Sequence, residues 1–232
     1  MSKSKNCIFL ISPFPFFNFE ELPVFEGFNR EHSSQLYRNL FFNYLEVLSD
    51  SRMLYNVICC FDERDDGFLP EQIKLNNDIV FYKRDSYDNL ITQLSEKYLL
   101  NIQYNLFLTA NSIAFSLSSI KKLFDVLSIE DNLVLLGESK NNKLTFIALN
   151  YNNAELLSSL NYSAEDFETA LKKTCSFHNS VHRSKGYLKI NYLTDFKELY
   201  KELSKKESWA YCSQEMHEKF THLFIEYKDL LK

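Results

Sequence analysis

The densest titratable cluster in this 232-residue chain is Asp62-Glu63-Arg64-Asp65-Asp66, set directly behind an apolar run that reads as a strand. Carboxylates at the carboxyl end of a strand stand where α/β proteins build ligand sites. Five consecutive charges closed by Gly67 nevertheless read first as a solvated loop. Two other groups have the residue types of a metal site. Cys175, His178 and His182 follow a C-x-x-H-x-x-x-H spacing, and Cys212, His217 and His222 form a looser set. Zinc needs about four convergent thiolate or imidazole donors. Neither group supplies a fourth, so both read as ordinary polar positions and no metal site is expected. His32 stands alone and reads as structural. Phe14, Phe16, Phe17 and Phe19 could stack on a base or a sugar, but a loop that packs its aromatics on the domain or on a partner is the plainer meaning.

What is missing narrows the chemistry further. A phosphate cradle needs glycine, because the backbone must come close to the anion and adopt positive φ. The chain has only four glycines, Gly27, Gly67, Gly137 and Gly186, all isolated. That excludes both the dinucleotide-binding G-x-G-x-x-G and the P-loop. There is no G-x-S-x-G elbow either, which argues against a serine hydrolase of the α/β class. The net charge is −5 without a dense Lys/Arg block, so nucleic acid is not an expected partner.

The elements that must position any site follow from hydrophobic patterning. Apolar β-rich runs occur at Cys7–Ile11, Val57–Phe61, Ile79–Tyr82, Asn105–Leu108, Leu133–Leu136, Leu144–Leu149 and Leu188–Tyr192. Several are continuous rather than alternating, as in strands buried on both faces. Helical stripes lie between them. Ser34 is expected to cap a helix carrying Leu36, Leu40, Tyr44, Leu45 and Leu48. Ser86–Leu100 and Ser116–Leu127 have similar stripes, Ser163 opens another, and Thr194 or Asp195 starts a helix through Leu203. Strands alternating with helices imply an α/β fold, three layers around a mostly parallel sheet. Residues 1–204 form that domain. Residues 205–232 add an amphipathic helix, with Met216, Phe220, Leu223, Phe224, Tyr227 and Leu231 on one side, expected to pack on the domain or on a second subunit as a homodimer. With 21 Phe and 14 Tyr there is ample core material. Five irregularly placed cysteines read as reduced thiols, and no apolar stretch reaches the roughly 20 residues of a membrane span. The expectation is a soluble cytoplasmic protein.

The order of landmarks over residues 6–203 resembles the small GT-A-like nucleotide-diphospho-sugar transferase family, relatives of the cofactor guanylyltransferases and sugar nucleotidyltransferases. A family loop of the type K-x-P-x-P-G-x-x-K-T-R-L corresponds to Ile11 through Leu22, which keeps Pro13, Pro15 and the final leucine. Its glycine becomes Phe16, and its basic positions become Ile11, Phe19 and Glu21. Asn111 stands where a metal-binding aspartate belongs after the fourth strand. The block Leu135–Leu149 matches V-L-G-P-x-x-D-G-G-Y-Y-L-I-G-L without a gap, with Glu138 inside it and Asn141-Asn142-Lys143 in place of Asp-Gly-Gly. A closing D-x-D-T-P stretch becomes Asn191-Tyr192-Leu193-Thr194-Asp195.

The resemblance implies a cleft near Pro13, Pro15, Asn111, Glu138 and Asn141, and a divalent cation in active members. Here the hard carboxylate ligands and the basic loop are replaced together. The chain therefore reads as a degenerate member with no catalytic residues and no cofactor, binding a nucleotide-sugar or a protein partner. The alternative is an active glycosyltransferase or nucleotidyltransferase with a rearranged, metal-independent site.

Overall fold

The structure, a computed structural model, describes residues 6–49, 54–83, 87–99, 102–177 and 180–232. Eight strands form one sheet: β1 Asn6–Ile11, β2 Asn56–Asp62, β3 Asp78–Tyr82, β4 Tyr104–Thr109, β5 Ser112–Ile113, β6 Leu133–Ser139, β7 Leu144–Leu149 and β8 Ser180–Lys189. Their spatial order is β3-β2-β1-β4-β7-β6-β8-β5. β1 pairs in parallel with β2 and β4, β2 with β3, and β6 with β8. Among the described residues, only β7 and the two-residue β5 run antiparallel to their neighbours. The mostly parallel α/β sheet expected from the alternation of elements is present.

Among the described residues, eight α-helices cover it: α1 Arg30–Ser49, α2 Glu71–Asn76, α3 Tyr87–Lys97, α4 Leu117–Leu127, α5 Ala154–Ser159, α6 Phe167–Phe177, α7 Leu193–Leu203 and α8 Gln214–Glu226. Alternate side chains of β1 show why both faces need cover. Ile8 and Leu10 face a core with α1, α4, α7 and α8, while Cys7, Phe9 and Ile11 face α3, α5 and α6. The period of two along a strand divides one continuous apolar run between two layers. Cys7, Cys59 and Cys60 are buried as small hydrophobes.

Three expectations need correction. Helix α1 begins a turn before Ser34, because Asn29 Oδ1 accepts the His32 amide at 2.7 Å as its cap. Ser34 is buried within the helix and donates to the Phe16 carbonyl at 3.1 Å. Strand β8 lies earlier than Leu188–Tyr192, since its apolar residues are only Val181, Tyr187 and Leu188, while His182, Arg183 and Lys185 are exposed. Ser163 does not open a helix. It sits in a turn where Asn161 Oδ1 accepts its amide, and α6 starts at Phe167. Ser116 does cap α4, through a reciprocal bond with Ser119. The proposed helix ends Ser86 and Leu100 lie outside the described residues.

The carboxyl-terminal stripe is covered by the chain itself. Ser213 caps α8, whose Met216, Phe220, Leu223 and Phe224 are buried, with α8 packed against α1. Tyr227 stacks on Phe28 with ring centroids 3.8 Å apart and meets His32 Nδ1 through its hydroxyl at 2.7 Å. His32 is thus a structural tie between the start of α1 and the end of the chain. Among the described residues, no helix is long and apolar enough to cross a membrane.

Candidate functional site

The carboxyl ends of the parallel strands carry the residues in question. Loop 12–29 leaves β1 and is fixed at its root. Ser12 donates its amide to Cys60 O at 2.8 Å, and its own carbonyl accepts from the Tyr82 hydroxyl at 2.8 Å. Pro13 and Pro15 are buried. Phe16 is fully buried, stacked on Tyr37 and edge-on to Phe41, and Phe17 packs on Phe41, Phe42 and Phe61. Two of the loop's aromatics therefore pack beneath α1 and take their place in the core, whereas Phe19 stays half exposed.

The acidic turn after β2 is not a solvated loop. Asp62 and Asp65 are buried. Asp62 holds Arg64 in a forked pair, with Oδ1 to Nε at 2.8 Å and Oδ2 to Nη2 at 2.5 Å. Asp65 turns the other way, and its Oδ1 accepts the backbone amides of Phe17 at 2.7 Å and Asn18 at 2.8 Å. Charge patterning along the sequence hides this, because Asp65 is drawn inward by backbone partners 47 and 48 residues away, while Asp62 is held by Arg64 of its own turn. No local signal would have revealed it.

A chain of amides and one carboxylate joins the ends of β4, β6 and β8. Asn111 is fully buried, and its Nδ2 donates to Asn191 Oδ1 at 2.7 Å. The backbone amides of Asn191 and Tyr192 donate to Asp195 Oδ2 at 2.9 and 2.8 Å. Asp195 Oδ1 accepts from Asn141 Nδ2 at 2.7 Å, and the same Nδ2 reaches Lys189 O at 3.0 Å. Asn111 and Asn141 are thus brought together through Asn191 and Asp195. Asn191 faces Asn111, while Leu193 begins α7 and packs on the core. Within the closing stretch, it is the first of the two expected aspartate positions that meets Asn111.

Glu138 lies apart from this chain. Its Oε2 pairs across the sheet with Arg183 at 3.1 Å and Lys185 at 3.5 Å. The hairpin between β6 and β7 keeps its shape without glycine, because Asn142 adopts φ 57° in the left-handed region that asparagine tolerates. Gly137 must remain glycine, since a Cβ there would come within 2.1 Å of Phe146 Cδ1.

Lys189 is a further group that the sequence did not single out. It is fully buried, with Nζ donating to Leu144 O at 2.8 Å and Tyr162 O at 2.6 Å. Burial first, and Lys143 second, push its ammonium down to about 7, with Glu165 opposing. As for the metal-like groups, His217 is hydrogen-bonded to Ser208 and stacked near Trp209, and Cys212 is buried. Cys175 is exposed, His182 faces Glu130 at 3.7 Å, and His178 lies outside the described residues. Among the described residues, no three His, Cys, Asp or Glu side chains converge as a metal site.

No protein-family model matches the chain, and no curated protein matches it by sequence. Solved structures do match it. A candidate nucleotide-diphospho-sugar transferase from Desulfovibrio desulfuricans G20 superposes with a TM-score of 0.70 at 14% identity, covering 98% of this chain and 97% of that one. A cytidylyltransferase from Leptospira borgpetersenii gives a TM-score of 0.53 at 14% identity, over 97% and 95% of the two chains. A manganese complex of a Mycobacterium tuberculosis H37Rv protein gives 0.54 at 10% identity, over 86% of this chain and 100% of that one. The chain therefore has the fold of the nucleotide-diphospho-sugar transferases and cytidylyltransferases, over nearly its whole length.

Proposed function

We propose that this protein is a non-catalytic form of the transferase fold that binds a ligand or a protein partner at the carboxyl end of its sheet. The observation that carries this reading is the Asn111–Asn191 pair. Two neutral amides bond to each other at the place where the resemblance expects a metal-binding carboxylate pair. Divalent magnesium or manganese prefers charged oxygen donors, and the nearby carboxylate of Asp195 is already taken by three N–H groups. This donor set does not fit the cation found in the manganese-bound neighbour. The active alternative would need positive charge from another source. Lys189 is a buried cation at the end of β8, and its Nζ is committed to two carbonyl oxygens.

Pro13, Pro15 and Asn111 are buried, so of the candidate ligand residues Asn141 and Glu138 retain partial exposure. A homodimer would have to use a face other than the Met216–Phe224 stripe, which is spent within the chain. The free thiols fit a reducing, cytoplasmic setting. Thermal-shift titration with UDP-, GDP-, CDP- and dTDP-sugars, each with and without Mn²⁺, tests the reading by mass action. No metal-dependent shift is expected. A shift of several degrees that requires Mn²⁺ would overturn it.

A further inference from the structure

Asp65 ties two loops together in an unusual ionic setting. Its Oδ1 takes both the Phe17 and Asn18 amides, the Phe16 amide acts more weakly on the same carboxyl, and its Oδ2 is buried without a hydrogen bond. A second tie joins the same segments, from Asn18 Nδ2 to Arg64 O at 3.0 Å. The surrounding charges do not pair with Asp65. Arg64 is forked on Asp62 and lies 3.8 Å from Glu21 of the loop. Arg38, from the overlying α1, donates to Ser34 O at 3.4 Å and feels Glu31 more strongly than Asp65. Asp62 is a like charge on the same turn. An ionised Asp65 would leave one charged oxygen dry and unpaired, which is costly unless the site opens to water.

We propose that Asp65 is a proton-held latch, clipping the Phe17–Asn18 segment onto the turn after β2 when protonated and releasing it when ionised. Burial first, helped by the Asp62 charge, pushes this carboxyl up to about 7, against the lowering effect of the Asn18, Phe17 and Phe16 amides. The closed form keeps its proton to about that pH, whereas an opened Asp65 returns to the ordinary carboxylate range. Closure is therefore strongest in acid, weakens as pH rises from the ordinary carboxylate range towards 7, and levels off above it. The clipped loop carries Pro13 and Pro15, so any effect on a ligand rests on the binding function proposed above, while the latch itself does not.

Amide hydrogen exchange by NMR on the full chain, between pH 5.5 and 8.5, tests it without any ligand. Protection factors at Phe17 and Asn18 should fall about 10-fold or more across that range in the wild type. They should stay level in Asp65→Asn, which keeps the acceptor oxygen without the charge, and should fall as in the wild type in Asp66→Asn. Level protection in the wild type, or an equal fall in Asp65→Asn, would overturn the latch. If Asp65→Asn does not fold, the carboxyl ¹³C titration of wild-type Asp65 decides. A midpoint near 7 is expected, and one at the ordinary value of about 4 overturns it.

Discussion

Asn111 and Asn191 hold each other at 2.7 Å, and aspartate at both positions would set two carboxylates at that separation. Like charges so close cannot both ionise cheaply, so Asn111→Asp/Asn191→Asp should lose roughly 1–3 kcal/mol at neutral pH. Millimolar Mn²⁺ should raise the melting temperature of that variant and leave the wild type unchanged. A wild-type response to Mn²⁺ alone would contradict the amide-pair reading. Lys189 gives a second residue-scale prediction. Its pKa falls to about 7 in the folded chain, so the unfolded chain holds more protons between about 7 and its ordinary value of about 10.4. Stability should then rise with pH through that window, by at most about 1.4 kcal/mol per pH unit. Urea midpoints at pH 7, 8.5 and 9.5 should show the rise in the wild type and none in Lys189→Met.

Among the elements, the β6–β7 hairpin concentrates the tightest backbone requirements. Gly137→Ala drives a methyl into Phe146 and Thr145 Oγ1, the latter 2.5 Å from the added Cβ, and should cost about 1–3 kcal/mol or more. Asn142→Gly should be tolerated, because it keeps the left-handed conformation, whereas Asn142→Val should be clearly destabilised. Thermal melts of the three variants should rank them in that way. This hairpin was legible in the sequence as the block Leu135–Leu149, and its observed strands, Leu133–Ser139 and Leu144–Leu149, bracket the turn. Strand β8 was legible only at its buried end. Apart from Val181, its first seven residues are polar or glycine, which hydrophobic patterning does not register.

For the molecule as a whole, the carboxyl-terminal helix is a structural part of one face of the sheet. Phe220 is fully buried between α8 and the α1 side of the core. Phe220→Ala should cost about 3–5 kcal/mol, read from denaturant midpoints. Removing residues 205–232 would expose that face, so the shortened chain should aggregate or melt far below the full one.

The positions of β1 to β4, β6 and β7, the mostly parallel α/β class and the burial of Cys7, Cys59 and Cys60 are determined by the sequence alone, because burial on two faces demands continuous apolar runs whatever the partners are. That asparagines, Asn111 and Asn141, stand where the resemblance expects carboxylates is equally read from the sequence. How these asparagines are held was decided only in three dimensions. The Asn111–Asn191–Asp195–Asn141 chain joins residues up to 80 positions apart. Asp65 reaches back 47 and 48 residues to two backbone amides, which carry no side-chain signature. Lys189, apart from its charge an unremarkable strand-end residue, becomes a buried ammonium because β7 and the Tyr162 turn close over it. Hydrophobic burial is written locally along a chain, whereas the pairing of buried polar groups depends on which distant segments the fold brings together.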